Sequence, residues 1–169
     1  MKKVIVTNGS GQWGKDTFAK ILNEYIPLEK YSSIDLIKDI ARIGGWNGIK
    51  EEKDRKFLSD LKLLFSDYND LPYKDVCRKI LEIQNNNKEI ELILIDIREP
   101  EEIEKIKNKF NATTVLIKNN NVDIITSNMA DANVLNYKYD YVVDNSGDID
   151  SLEDEVLKFI TFLKERECV

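Results

Sequence analysis

Apolar residues along this chain fall into short continuous runs that alternate with stretches of helical periodicity. Such runs predict strands over residues 3–7, 90–95, 113–117 and 139–143, and the first of them is expected to be buried. The more mixed segment 28–32 predicts a further short strand. Between the runs, apolar residues recur every three or four positions, which predicts amphipathic helices. Strands that alternate with helices predict a parallel sheet covered on both faces, so the expected fold class is α/β with three layers, α/β/α.

The longest gap between predicted strands, residues 34–88, carries only helical patterns. Apolar stripes predict helices over 34–41 and 57–68, and Pro72 is placed to open a third. Such an insert is expected to lie over the carboxyl ends of the strands, where ligands bind in these sheets. A second segment, residues 119–138, is a candidate lid over the same ligand site. It is polar and irregular, with a short helix expected near Ala130. Pro100 opens the next helix, and the last one spans 150–164.

Composition narrows the class of protein. The 169 residues predict one domain, and 42% hydrophobic and 33% charged residues are typical of a soluble globular chain. A net charge of −6 argues against a nucleic-acid surface, and no segment has the pattern of a signal peptide or membrane span. We therefore expect a cytoplasmic protein with Cys77 and Cys168 reduced. Histidine is absent, which excludes Ser-His and Cys-His mechanisms and the usual zinc sites.

One segment carries specific chemistry, the turn between the first predicted strand and the first predicted helix. It reads Gly9-Ser10-Gly11-Gln12-Trp13-Gly14-Lys15-Asp16-Thr17 and fits the phosphate-binding loop pattern. Glycines let backbone N–H groups surround phosphate oxygens, and Lys15 brings a cation to them. Asp16 stands where Ser or Thr usually binds Mg²⁺. For Trp13 two interpretations stay open: contact with a lid or a substrate base, or a cap on the core above the first strand.

A second group, Asp96-Ile97-Arg98, follows the third predicted strand. A carboxylate at a strand end beside a phosphate loop commonly orients Mg²⁺, and an Arg two residues later can fork onto a phosphate. The alternative is an Asp that ends the strand and a surface Arg. Asp35 and Lys38, which open the helix after the second strand, are similarly either an ion pair of the first turn or part of a cleft.

With these residues in view, the chain resembles the P-loop nucleoside monophosphate kinases, most closely the deoxynucleoside monophosphate kinases of phage type. The resemblance is carried by four segments and spans most of the chain: Gly14-Lys15-Asp16-Thr17, Ser33-Ile34-Asp35-Leu36-Ile37-Lys38, Asp54-Arg55-Lys56-Phe57-Leu58 and Asp96-Ile97-Arg98. Residues 140–147, followed by Leu152, are similar to the last strand and base-side loop of these enzymes and of dephospho-coenzyme A kinases.

The resemblance implies a P-loop NTPase fold and a role for each of these positions. Gly9 to Thr17 would hold the ATP phosphates, with Lys15 at the β- and γ-phosphates and Asn145 beside the adenine. Asp16 and Asp96 would hold Mg²⁺. The acceptor nucleotide and its phosphate would face Asp35, Lys38, Arg55 and Arg98, so that Lys15, Asp96 and Arg98 make up the catalytic set.

The chain departs from this family in its candidate lid, residues 119–138. Kinases of this group bring lid arginines over the transferred phosphoryl group, yet no Arg occurs between Glu99 and Glu165. Either Lys118 or Lys138 takes this role, or Arg55 and Arg98 serve twice, or turnover is slow.

The sequence thus predicts a kinase that phosphorylates a nucleoside or deoxynucleoside monophosphate with Mg²⁺ and ATP, as a monomer or homodimer without nucleic-acid or membrane partners. The alternatives are another small acceptor, such as dephospho-coenzyme A, or a nucleotide-binding protein with weak ATPase activity.

Overall fold

The five predicted strands form one parallel sheet. The computed structural model describes residues 2–49, 51–86, 89–125 and 132–166. Its strands are β1 (Lys3–Asn8), β2 (Leu28–Ser32), β3 (Leu92–Asp96), β4 (Thr113–Lys118) and β5 (Tyr141–Asp144), in the order β2-β3-β1-β4-β5. All four pairings are parallel. The predicted three-layer α/β fold is therefore confirmed.

Within these described ranges, six helices connect and cover the strands. They are α1 (Lys15–Tyr25), α2 (Asp35–Ile43), α3 (Glu52–Asn69), α4 (Leu71–Asn86), α5 (Pro100–Phe110) and α6 (Ile149–Glu165). The helical run predicted between the second and third strands is present as α2, α3 and α4. The short helix predicted near Ala130 lies outside the described residues. No helix within the described ranges is both long and apolar enough to cross a membrane.

Two buried clusters hold the three layers together. On one face, Ile5, Leu94 and Val115 of the sheet pack with Phe18 of α1 and Phe159 of α6. Side chains alternate between the two faces of a strand. The neighbouring positions therefore build the other cluster, in which Val6 and Ile95 pack with residues of α4 and α5 such as Ile80 and Ile103.

The last strand begins later than predicted. The apolar pattern placed it at 139–143, whereas β5 spans Tyr141–Asp144. Tyr139 and Asp140 are used otherwise: the Tyr139 hydroxyl donates to Val134 O at 2.7 Å, and the Asp140 carboxylate accepts from Thr114 N at 2.9 Å. Asp140 N also donates to Thr114 O at 3.0 Å, so the chain contacts β4 one residue before β5 begins.

Helices α2 and α3 lie beyond the carboxyl ends of the strands and pack on each other through Ile37, Ala41 and Leu58. Helix α2 begins three residues after β2 ends at Ser32. Asp96, at the end of β3, is the register partner of both Thr7 and Ser32. The ends of β1, β2 and β3 therefore meet at one edge of the sheet, facing the two helices.

Candidate active site

The phosphate-loop segment has a backbone that requires glycine. Gly14 has φ +90°, and a Cβ there would lie 2.2 Å from Nδ2 of Asn145. That amide group donates to the carbonyl of Trp13 at 2.9 Å. Gln12, with φ 66°, also has the left-handed backbone that side chains seldom adopt. Left-handed backbone at residues 12 and 14 is typical of turns whose backbone N–H groups bind an anion.

Lys15 is the first residue of α1, and its side chain folds back over the loop. The ammonium donates to the carbonyls of Gly9 at 2.5 Å and Ser10 at 3.3 Å. Ser10 is fully buried, and its hydroxyl accepts from Ile125 N at 3.0 Å. The loop therefore presents a cation at the amino end of a helix, where the helix dipole also favours an anion.

Trp13 joins the loop to the segment after β4. Its side chain is only 2% exposed and packs with Leu116 and Val134, and its indole N–H donates to Val122 O at 2.9 Å. Of the two interpretations left open by the sequence, contact with residues 119–138 is correct, and the same contacts continue the core above β4. Since Trp13 is buried, its ring does not reach a substrate base.

A cleft of about 730 Å³ opens between the loop, the strand ends, α2 and α3. Eleven of the residues singled out from the sequence line it: Gly11, Gln12, Gly14, Lys15, Asp16, Thr17, Asp35, Lys38, Arg55, Asp96 and Arg98. Six lysines or arginines and four carboxylates are among the described residues around it. The cleft thus has an excess of cations inside a chain of net charge −6.

The two carboxylates expected to hold a metal, Asp16 and Asp96, meet around one cation. Lys30 of β2 forms an ion pair with each of them, at 2.9 Å for Asp96. The hydroxyl of Thr7 donates to the other Asp96 oxygen. Burial works to lower the pKa of Lys30, but the two carboxylates raise it above its ordinary value. These carboxylates therefore share one cation in the position expected for a metal.

Three further predicted residues, Asp35, Lys38 and Arg55, lie on helices α2 and α3 and line the cleft. Asp35 accepts from Ser32 N and from the Lys38 ammonium, both at 2.9 Å. Arg55 of α3 extends to the phosphate loop. Its Nη1 would lie 3.4 Å from a Cβ added to Gly11. Asp35 and Lys38 are thus both an ion pair of the first turn and part of the cleft wall, so the two alternatives were not exclusive.

Arg98 follows β3 and lines the same cleft. Its carbonyl accepts from the Asn8 side chain at 3.2 Å, and Asn8 also donates to the Tyr139 hydroxyl at 2.7 Å. Asn8 is 1% exposed. Because its amide is buried and fully engaged, it fixes the backbone from which Arg98 projects.

A buried ionic group supports the floor of the cleft. Lys62 of α3 is 5% exposed and donates to Ser33 Oγ and to Glu102, both at 2.7 Å, and it also pairs with Glu99. Burial raises the pKa of Glu102 to about 7 in spite of Lys62. Burial has the same tendency at Glu99, but there the Lys62 ammonium prevails and lowers the pKa. Lys62 thus ties α3 to the start of α5.

The remaining predicted residues lie elsewhere. Of the described residues, neither Lys118 nor Lys138 lines the cleft. Lys118 ends β4, and its carbonyl accepts from Asn145 N at 2.7 Å. Asn145 itself lies behind the loop, against Trp13 and Gly14. Gly9 and Ser10 of the loop lie against Ile117 and Ile125, away from the cleft lining. These residues shape the loop from outside the cleft.

Sequence reasoning missed Lys30, Lys62, Glu99 and Glu102. Lys30 lies within a predicted strand, and a lysine inside a strand is the signal that was available. Lys62 lies within the apolar stripe of α3, which offered a similar signal. Neither signal names a partner, because the partners come from strands and helices distant in sequence.

Comparisons with known proteins identify the fold. No family model and no curated protein matches the chain. Solved structures do: a gluconokinase from Sinorhizobium meliloti 1021 has TM-score 0.57 and 11% identity, covering 97% of this chain and 94% of its own. A dephospho-CoA kinase from Campylobacter jejuni has TM-score 0.52 and 20% identity, covering 99% and 100%. A shikimate kinase from Bacteroides thetaiotaomicron has TM-score 0.50 and 12% identity, covering 96% and 98%.

The chain has the fold of these kinases. At identities of 20% and below, the likeness extends to the fold alone, and the acceptor has to be argued from the cleft.

Proposed function

We propose that this protein is an ATP-dependent kinase that phosphorylates a nucleoside or deoxynucleoside 5′-monophosphate. The observation that carries the proposal is the cleft, whose lining combines the phosphate loop and Lys15 with three further cations, Lys38, Arg55 and Arg98. A phosphate-binding loop and additional cations in one cleft suit two phosphate-bearing substrates. Bringing a donor and an acceptor together in this way is the main requirement of phosphoryl transfer.

Each group of the cleft has a role in this reaction. The loop amides and Lys15 hold the donor triphosphate, and Arg98 orients the acceptor phosphate as a forked cation. Arg55 lies beside the loop and stabilises charge on the transferred group, which no described lysine after β4 is placed to do. An acceptor phosphate is already ionised at neutral pH, so the reaction needs no general base and the absence of histidine is no obstacle.

The residues present fit a magnesium ion that arrives with ATP. Within the described part of the chain, no three acidic, Cys or His side chains are grouped to hold a metal by themselves. Asp16 and Asp96 both reach one cation, however, and Mg²⁺ is commonly held by one or two carboxylates together with substrate phosphates. Asp16 and Asp96 would hold it, and it would neutralise phosphate charge there.

The second candidate acceptor is dephospho-coenzyme A. The likeness to the dephospho-CoA kinase covers nearly all of both chains, and Asp35 supplies a carboxylate in the cleft wall that an alcohol acceptor would need as a base. In the structure this carboxylate is bonded to Ser32 N and Lys38, which suits a positioning role better. We therefore rank the nucleotide acceptor first.

The experiment is an ADP-production assay across ribo- and deoxyribonucleoside monophosphates and dephospho-coenzyme A. At least one monophosphate should raise ADP production well above the rate with ATP alone. If only dephospho-coenzyme A does so, the second acceptor is correct. If no acceptor raises the rate while ATP is still bound or slowly hydrolysed, the protein is not a kinase of this kind.

Lys15→Ala should abolish transfer in that assay, because the ammonium at the phosphates is lost while the fold is kept. The matched control is Lys20→Ala, which removes an exposed lysine from the same helix. Equal loss of activity in both variants, or none in Lys15→Ala, would contradict the assigned role of the loop.

A further inference from the structure

Lys30 lies in the cleft beside the two carboxylates proposed to hold magnesium, Asp16 and Asp96. Its ammonium pairs with Asp16 of α1 and, at 2.9 Å, with Asp96 of β3. The exposed fractions of the three side chains are 25% for Lys30, 15% for Asp96 and 95% for Asp16. An ammonium thus lies between the two carboxylates to which the proposed function assigns magnesium.

The fold brings these groups together through long-range pairing. Lys30 stands two residues before Ser32, the register partner of Asp96, so both side chains project from the same face of the sheet. Thr7 of the neighbouring strand β1 fixes the second Asp96 oxygen. Asp16 reaches the same ammonium from the first turn of α1. Three strands and a helix therefore converge on one charge.

An ordinary structural ion pair is the alternative, and the chain offers an example of one for comparison. Lys79 of α4 also bridges two carboxylates, Glu29 at 3.2 Å and Glu82 at 3.4 Å, and its side chain is 23% exposed. It lies outside the cleft. Lys30 differs in that its two partners are the carboxylates beside the phosphate loop.

We propose that Lys30 is a built-in cation that holds Asp16 and Asp96 together and keeps free divalent metal ions from them until nucleotide arrives. The part of this proposal that concerns the arrival of nucleotide rests on the proposed function. The exclusion of free metal ions does not depend on it. A metal ion and an ammonium repel each other strongly at this separation, so only one of them lies between the carboxylates at a time. ATP phosphates supply the additional ligands that let magnesium displace the lysine.

The test measures Mn²⁺ binding to the nucleotide-free protein from the electron paramagnetic resonance signal of the unbound ion. The wild type should bind Mn²⁺ no tighter than about 1 mM, and Lys30→Met should bind it at least about tenfold more tightly. Lys30→Arg keeps the charge and should behave as the wild type does. Adding Asp96→Asn to Lys30→Met should abolish the gain.

Lys79→Met is the matched control, since it makes the same substitution in a lysine of similar exposure and adds the same unit of negative charge. An equal gain in Lys79→Met would show that net charge alone is responsible and would overturn the proposal. No gain in a folded Lys30→Met would also overturn it.

A measurement on the wild type covers the case in which Lys30→Met does not fold. Micromolar binding of Mn²⁺ to the nucleotide-free wild type would contradict the proposal directly. Because none of these measurements uses nucleotide or acceptor, their outcome is independent of the phosphoryl-transfer assay, and either proposal can fail alone.

Discussion

At the scale of single residues, replacing Arg55 tests how the transferred phosphoryl group is stabilised. Its guanidinium lies beside Gly11 of the phosphate loop, where it can contact the group in transfer. Arg55→Ala should lower kcat by on the order of 10³-fold, as loss of an arginine at the transferred phosphoryl group does in related chemistry. Arg55→Lys should recover only part of this, since lysine keeps the charge and loses the fork.

Steady-state kinetics at saturating ATP and acceptor measure this effect. Lys56→Ala is the control, because Lys56 is the next residue, is 70% exposed and pairs only locally, with Asp60 at 2.5 Å. If Arg55→Ala raised the KM for the acceptor and left kcat unchanged, Arg55 would bind acceptor and take no part in the transfer itself.

The residues predicted from the sequence are those whose surroundings are set locally. Lys15 and Asp16 follow directly from a strand, a glycine loop and a helix in succession, and Asp96 and Arg98 follow from the end of an apolar strand. Lys30 and Lys62 could not be assigned in this way. Their partners belong to other elements, and strand order and helix placement are long-range properties that periodicity does not encode.

At the scale of elements, the same limit applies to the sheet. Five segments of the sequence predict five strands, but nothing in them specifies the order β2-β3-β1-β4-β5. Helix α3 shows that a correctly predicted helix does not reveal which of its side chains are buried. Its apolar stripe was predicted, yet Phe57, Leu64 and Tyr68 are 44%, 64% and 81% exposed, while Lys62 is buried. The stripe predicts the helix correctly, but burial along it depends on other elements: Leu58 packs on α2, and Lys62 pairs with carboxylates at the start of α5.

The contact between the phosphate loop and the segment after β4 depends on Trp13. Trp13→Phe removes the bond from the indole N–H to Val122 O, and should lower the free energy of unfolding by about 1 kcal/mol. Trp13→Ala also empties the space between Leu116 and Val134, and should cost about 3–5 kcal/mol. Urea unfolding followed by circular dichroism measures both.

Trp46→Phe serves as the control. The Trp46 indole also donates to a carbonyl, Ile49 O at 3.0 Å, but from a half-buried position at the edge of the cluster between α2 and α3. Trp46→Phe should therefore lower the free energy of unfolding by less than Trp13→Phe does. Trp13→Phe should in addition speed tryptic cleavage at Lys118, and an unchanged cleavage rate would mean that the segment is held without Trp13.

At the scale of the whole molecule, charge is separated between the cleft and the rest of the protein. The chain carries a net charge of −6, while the residues that line the cleft include more cations than carboxylates. Anionic ligands are therefore drawn to the cleft in particular. Among the groups beneath it, Glu102 is the one whose charge state changes near neutral pH, because burial raises its pKa to about 7.

This makes stability depend on pH in a defined direction. Between about pH 4.5 and 7 the folded protein keeps a proton on Glu102 that the unfolded chain has released. The free energy of unfolding should therefore fall as pH rises across this window, by on the order of 2 kcal/mol, and level off above it. The chain has no histidine to add a second titration there. The lowered pKa values of Asp140 and Asp144 act at lower pH.

Glu102→Gln isolates the effect, since glutamine resembles the protonated side chain in shape and cannot ionise. Urea unfolding at pH 5 and pH 8 should give a much smaller difference for Glu102→Gln than for the wild type. Glu101→Gln is the control: the same substitution in the same helical turn, but at an exposed side chain, should leave the difference as it is in the wild type. Because Lys62 keeps Glu99 as a partner in the Gln variant, that variant should be at least as stable as the wild type at pH 8. A lower stability there would mean that the ionised Glu102 contributes more through Lys62 than its burial costs, and that the two helices depend on the full ionic group.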